Sequence, residues 1–193
     1  MHNVNDKKIL RKEYKERIKQ YTFYDLSMRT QKIIAHITSS PWYREKNILA
    51  FYSGTHHEVS LQDLFHQSLK AHKTALFPKY LGESNISFCK VHNEEDLEMG
   101  AFGIREPRKE CEDVAIDGID VFFVPGVCFD SFGNRLGSGL GCYDEALKKA
   151  RKDALFIGVA YSFQLFPERL PTRTEDIPMH YVVTENASMK SKP

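Results

Sequence analysis

The stretch VFFVPGVCFDSFGNRLGSGLGCYD, residues 121–144, changes character twice. Val121 to Val124 are apolar without interruption, which suits a strand covered on both faces. Pro125-Gly126 stops the run. A glycine-bearing loop follows, and a helical pattern then runs from about Tyr143 to Lys152. Buried strand, loop and helix form the first part of a βαβ unit, which requires a parallel sheet. In open sheets of that kind ligands bind at the carboxyl ends of the strands, where this loop lies.

The flanking sequence repeats the pattern. Upstream, Ile48 to Ser53 (ILAFYS) reads as a buried strand. Ser60, with Asp63 three residues on, opens a helix that turns Leu61, Leu64, Phe65 and Leu69 inward. Thr74 to Phe77 is the next strand, ended by Pro78. Ile86 to Val91 alternates apolar with polar, as a strand wetted on one face does. Downstream, Ala154 to Ala160 and Tyr181 to Thr184 are further strands. Two helices precede them all: residues 7 to 20, with Leu10, Tyr14, Ile18 and Tyr21 in one stripe, and 26 to 37, with Leu26, Ile33, Ile34 and Ile37, ended by Pro41. Residues 105–118 read as a polar surface connection and 188–193 as a frayed end. The expectation is a single domain over residues 1–193, of α/β class: an open, mainly parallel sheet with helices on both faces.

Composition narrows the function. In 193 residues, 27 Lys and Arg balance 26 Asp and Glu, so no strong field favours nucleic acid or a membrane surface. A hydrophobic content of 41% argues for a packed core. The charged start, MHNVNDKKILRKEY, reads as no export signal, and no apolar run approaches the roughly 20 residues of a membrane span. Cys89, Cys111, Cys128 and Cys142 form no CxxC pair and read as reduced cytoplasmic thiols.

Within the loop, Gly137, Gly139 and Gly141 alternate just before the helix. Glycine lets a backbone approach closely and adopt positive φ, so successive N–H groups can line an anion site. Arg135 adds a permanent planar cation suited to phosphate oxygens. Asp144 follows, and a carboxylate beside phosphate commonly holds Mg2+. A Walker A loop is excluded, because no GK[ST] follows. The dinucleotide fingerprint is excluded because the third glycine comes one place early. A plain glycine-rich turn capping a helix is the alternative, and Arg135, Asp144 and the upstream strand weigh against it.

These residues resemble the 5-formyltetrahydrofolate cyclo-ligase family, also called 5,10-methenyltetrahydrofolate synthetases. The family pattern PG..FD..G.RLG.G.G.YD stands here as PGVCFDSFGNRLGSGLGCYD, Pro125 to Asp144. KKILR at 7–11, FYSGTHHEVS at 51–60, GAFGIREP at 100–107 and IGVAYSFQLFPERLPTRTEDIP at 157–178 extend the likeness over most of the chain.

The resemblance implies the scaffold of sugar-phosphate isomerases and CoA transferases (NagB/RpiA/CoA transferase-like). It implies ATP-dependent conversion of 5-formyltetrahydrofolate to 5,10-methenyltetrahydrofolate, ADP and phosphate, with Mg2+. It sends Lys7, Lys8, Ile9, Leu10 and Arg11 to the nucleotide phosphates, Lys7 and Arg11 foremost. Arg135, Leu136, Gly137, Ser138, Gly139, Leu140, Gly141, Cys142 and Tyr143 would wrap ATP and adjoin the folate, with Arg135 catalytic. Asp144 and Asp176 would bind the metal; Glu58, and on the same wall Ser53, would meet the pterin. Four positions depart from the pattern: Leu140 (glycine or lysine is common), Cys142 (aromatic), Glu175 (histidine) and His180 (an acid). A protein that binds folate or nucleotide without turnover is the alternative implied by the changes at Leu140 and Cys142, and action on another phosphorylated metabolite ranks last. His56-His57 has no third ligand in register to suggest a metal site. A monomer is favoured.

Overall fold

Phe122 and Phe123 point to opposite faces of the sheet, and that alternation decides where every helix must lie. The computed structural model describes residues 4–192, with side chains from Lys7 onward. The helices are α1 (Val4–Arg17), α2 (Phe23–Ser39), α3 (Pro41–Glu45), α4 (Gln62–Lys70) and α5 (Cys142–Leu147). The strands are β1 (Ile48–Ala50), β2 (Thr74–Gly82), β3 (Asn85–Lys90), β4 (Leu97–Met99), β5 (Arg105–Pro107) and β6 (Asp113–Val114). They continue as β7 (Val121–Val124), β8 (Cys128–Phe129), β9 (Arg135–Leu136), β10 (Leu155–Val159), β11 (Tyr181–Val183) and β12 (Ser188–Lys190).

Eight strands form one sheet in the order β12-β11-β10-β7-β1-β2-β3-β6. The five from β11 to β2 are parallel, and β12, β3 and β6 are joined at the edges by antiparallel pairing. Phe123, Val121, Leu49 and Ile157 pack under α2, α3 and α4 through Ile33, Ile37, Trp42, Leu64 and Phe65. Phe122, Val124 and Phe156 face the other way, toward Ala146 and Leu147 of α5 and the ring of Phe129. A large mainly parallel sheet flanked by helices is therefore present. The second face is the more thinly covered. No helix among the described residues is long and apolar enough to cross a membrane.

Several local expectations change. Pro41 does not simply end α2; it starts α3, where a missing N–H costs nothing. Ser60 is not the cap of α4, which begins at Gln62 after Leu61 and has no side-chain cap. Pro78 does not end β2. Leu76 turns its carbonyl to Phe51 N beyond β1, so Pro78, two residues on, directs its absent donor to the same edge, past the end of β1. Glu106 covers that edge instead, accepting from Tyr80 N at 3.0 Å and Ala101 N at 2.9 Å. Residues 105–118 supply β5, which pairs with β4 in a small separate sheet, and β6; β6 and the expected frayed end, which supplies β12, close the two edges of the large sheet. Pro193 and residues 1–3 lie outside the described residues. The helix expected to reach Lys152 stops at Leu147.

Gly158 of β10 shows how tightly the second face is closed. A Cβ there would lie 2.6 Å from Phe129 Cε1 and 3.2 Å from Met179 Cγ. Gly158→Ala is expected to destabilise the fold by about 2 kcal/mol, read as a lower urea midpoint at unchanged m-value.

Candidate functional site

Asp130 organises the glycine loop, although its side chain is wholly buried. It accepts from Phe132 N and Asn134 N, both at 2.9 Å, and from Asn134 Nδ2 and Leu170 N, both at 2.7 Å. One carboxylate thus closes the β8–β9 turn and ties it to the segment that follows β10. The sequence did not single out Asp130, though it belongs to the FD of the quoted pattern.

Arg135, on β9, is directed by that turn toward α5. Its Nη2 lies 2.9 Å from Asp144 Oδ2, and its Nη1 donates to Pro125 O at 3.2 Å. A side chain at Gly137 would sit 2.7 Å from Nη1 and displace the guanidinium. Gly139 and Gly141 have φ of +117° and +75°, which side-chain-bearing residues rarely adopt. With six residues, α5 is too short to contribute much of a macrodipole, so cations and loop amides must make any anion site.

Helix α1 lies on this hairpin, not on the sheet. Tyr14 and Leu10 pack against Val127, Cys128, Leu136 and Leu170. That seating brings Arg11 Nε within 2.8 Å of Gly137 O and Lys7 Nζ within 3.0 Å of Asp176 Oδ2. Lys8 and Ile9 face solvent. Leu10 and Leu136 are packing residues, and the exposed Ser138, Gly139 and Leu140 form the crest of the loop.

The pterin candidates stand on the adjoining wall. Glu58 Oε2 accepts from Thr55 N at 2.8 Å and Thr55 Oγ1 at 3.0 Å. Burial pushes its carboxyl above the ordinary range, and the Thr55 donors offset only part of that. Tyr143 is held protonated by burial first and the neighbouring Glu58 second, against the opposing pull of Arg135. Its ring centroid lies 5.7 Å from the Arg135 guanidinium. Tyr52, held protonated likewise, donates to Val59 O at 2.7 Å and so supports the Glu58 loop. Ser53 Oγ, Arg135 Nε and Tyr143 OH are buried and have no hydrogen-bond partner. Buried polar atoms are seldom left so, and three of them gather around Arg135 and Tyr143 here.

Asp144 and Asp176 approach the same seam. Asp144 Oδ1 accepts from Ile177 N at 3.3 Å, the residue after Asp176. Burial would raise the Asp176 carboxyl, but Arg173 N–H and Lys7 outweigh it and hold it below the ordinary value. Among the described residues no three His, Cys, Asp or Glu side chains cluster as metal ligands, the His56-His57 pair included. Of the departures, Leu140 lies on the loop and Cys142 opens α5, whereas His180 precedes β11 at the opposite end. There its Nδ1 accepts from Phe156 N at 2.9 Å.

The model of the 5-formyltetrahydrofolate cyclo-ligase family matches residues 3–185. The chain belongs to that family. It is 34% identical over 131 residues to the Escherichia coli K12 5-formyltetrahydrofolate cyclo-ligase, covering 66% of this chain and 71% of that one. The Mus musculus relative of the same name is 27% identical over 94% of each chain. The NMR structure of Aquifex aeolicus 5,10-methenyltetrahydrofolate synthetase superposes with a TM-score of 0.86 at 38% identity, covering 97% of this chain and 93% of that one. A Mycoplasma pneumoniae 5,10-methenyltetrahydrofolate synthetase gives 0.76 at 25% identity, covering 93% and 99%.

The loop that presents Arg135 depends on the Asp130 anchor. Asp130→Ala is expected to cost on the order of 3 kcal/mol, since four charge-assisted bonds are lost and their partly buried donors, with the buried Leu170 N, are stranded. Chemical denaturation checks the loss, and amide exchange should show it centred on residues 130–137.

Proposed function

We propose that this cyclo-ligase family member converts 5-formyltetrahydrofolate and ATP, with Mg2+, to 5,10-methenyltetrahydrofolate, ADP and phosphate. The observation that supports this best is convergence: α1 brings Arg11 to Gly137, 126 residues away in sequence on the loop that also presents Arg135, and Lys7 to Asp176, whose neighbour Ile177 donates to Asp144 just past the end of that loop. Three cations around glycine amides suit a triphosphate.

The chemistry needs such a cradle. A formyl group on nitrogen is amide-like, with a weakly electrophilic carbon and an oxygen that leaves poorly. Its oxygen attacks the γ-phosphorus, forming an O–P bond as the bond to the ADP oxygen breaks. The second folate nitrogen then attacks the activated carbon, loses its proton and expels phosphate to close the ring. Phosphoryl transfer asks chiefly for positioning and charge neutralisation, and no protein nucleophile is required.

In this scheme Arg135 faces the phosphoryl oxygens as they pass between the two substrates, while Lys7 and Arg11 hold the phosphate chain. Glu58 accepts from pterin N–H groups, beside Ser53 and Tyr143. Asp144 and Asp176 are hard oxygen donors on neighbouring segments. They suit Mg2+, which takes one or two carboxylates and completes its shell with phosphate and water. Bound there, the ion would neutralise phosphate charge. The kinship with sugar-phosphate isomerases and CoA transferases remains a proposal about scaffold and adds nothing to the chemistry.

The direct test is the strongly absorbing methenyl product from purified protein, ATP, Mg2+ and 5-formyltetrahydrofolate. No product at high enzyme concentration rejects the proposal. Arg135→Ala is expected to lower kcat/KM by about 10³, and an unimpaired variant would remove Arg135 from the role. Glu58→Gln is expected to raise KM for 5-formyltetrahydrofolate about tenfold with little change for ATP.

The same Glu58 predicts a pH dependence. Its folded value is raised, so the anion that accepts from the pterin is lost at a higher pH than an ordinary glutamate would give. Folate KM should therefore climb as pH falls through that raised value, and in Glu58→Gln this limb of the profile should vanish. For stability the sign is opposite. The folded state binds the proton more tightly, so Glu58 costs stability as pH rises from the ordinary carboxylate range through the raised value.

A further inference from the structure

The four charged groups assigned above to nucleotide and metal already hold one another. Lys7 pairs with Asp176 at 3.0 Å, with side chains 16% and 23% exposed. Arg135 pairs with Asp144 at 2.9 Å, with side chains 7% and 20% exposed. Each pair joins one cation assigned to phosphate with one carboxylate assigned to metal. Sheltered this far from water, charges are costly to leave unpaired.

Consider each ligand alone. A phosphate chain that takes Lys7 and Arg135 leaves two carboxylates without their cations, held only by the Arg173 and Ile177 N–H groups, beside a polyanion. A divalent cation that takes Asp144 and Asp176 leaves two bare cations beside it. Only the two ligands together give every group a new partner of opposite sign. The exchange is also local. Tyr14 OH to Leu165 O at 3.3 Å and Arg17 Nη1 to Phe163 O at 3.2 Å hold the later turns of α1, so releasing Lys7 frees only its start.

We propose that the Lys7–Asp176 and Arg135–Asp144 pairs form an exchange lock, which admits a nucleotide triphosphate and a divalent cation together and disfavours either alone. The proposal rests on the functional reading above, and it makes Lys7 and Asp176 mutual gatekeepers as well as ligand contacts.

The two partners of the outer pair give opposite predictions. Full-length protein is titrated with Mn2+ alone, followed by the paramagnetic resonance of the free ion. It is also titrated with ATP in EDTA and with ATP plus Mg2+, followed by calorimetry. Wild type is expected to bind ATP at least tenfold more weakly in EDTA than with Mg2+. Lys7→Met uncovers Asp176, so Mn2+ alone should bind about threefold to tenfold more tightly and ATP in EDTA correspondingly more weakly. Asp176→Asn frees Lys7, so ATP in EDTA should tighten by a similar factor while Mn2+ alone weakens. A general loss of structure would weaken both titrants in both variants and cannot produce this crossing. The lock is overturned if the variants move both titrants in the same direction, if neither moves, or if wild type binds ATP equally with and without Mg2+. If wild type takes up no ATP even with Mg2+, the functional reading falls together with the lock. If ATP with Mg2+ binds normally and the crossing is absent, only the lock falls.

Discussion

Asp130 is a carboxylate wholly buried among backbone donors, and the rest of the site is arranged around it. Removing such a group from water costs several kcal/mol, so it persists only where hydrogen bonds offset that cost. Here four do, and they come from two separate segments, the β8–β9 turn and Leu170. The turn aims Arg135 at α5, and the tie at Leu170 sets the course of the chain that later presents Asp176. One internal anion therefore fixes the placement of a cation and of another anion that have no direct bond between them.

The wall opposite shows a complementary constraint. Glu58 is positioned by Thr55 within its own loop and backed by Tyr52, whose hydroxyl reaches Val59 O. Tyr143 joins this wall to the glycine loop, because it sits one residue before Asp144 in α5 and faces both Glu58 and Arg135. The two halves of the site, one for each substrate in the proposed reaction, thus meet at a single phenol. That arrangement is what an in-line transfer between two bound molecules demands of its scaffold.

Much of this could be read from residue order alone. Val121 to Val124, Ala154 to Ala160 and Ile48 onward betrayed the parallel centre, since strands covered on both faces are apolar without alternation. The edges were less legible. β6 and β12 are short and polar, and they pair because neighbouring strands need closure, a demand that no local window contains. Pro78 misled for a related reason: its missing donor is harmless only because β1 ends earlier, a fact about another strand. In the site, Arg135, Asp144 and the glycines announced themselves through spacing. Asp130 did not, because a buried anchor and a loop carboxylate look alike in sequence. Lys7 and Arg11 looked like the wet side of a helix; what sets them apart is that α1 leans on a hairpin, which places their side of it over the loop.

The seating of α1 also bears on how the molecule comes into being. Its partners, Gly137, Phe163, Leu165 and Asp176, all lie in the final third of the chain. During synthesis α1 must therefore wait for residues well over a hundred positions downstream before it finds its berth. Until then its narrow apolar stripe, Leu10 and Tyr14, stays uncovered, and the Lys, Arg and Glu around it keep it in water. Its docking closes the longest loop in the molecule and belongs among the late events of folding. A nascent chain can thus pair its central strands β1, β2, β7 and β10 before Lys7 and Arg11 of α1 are seated.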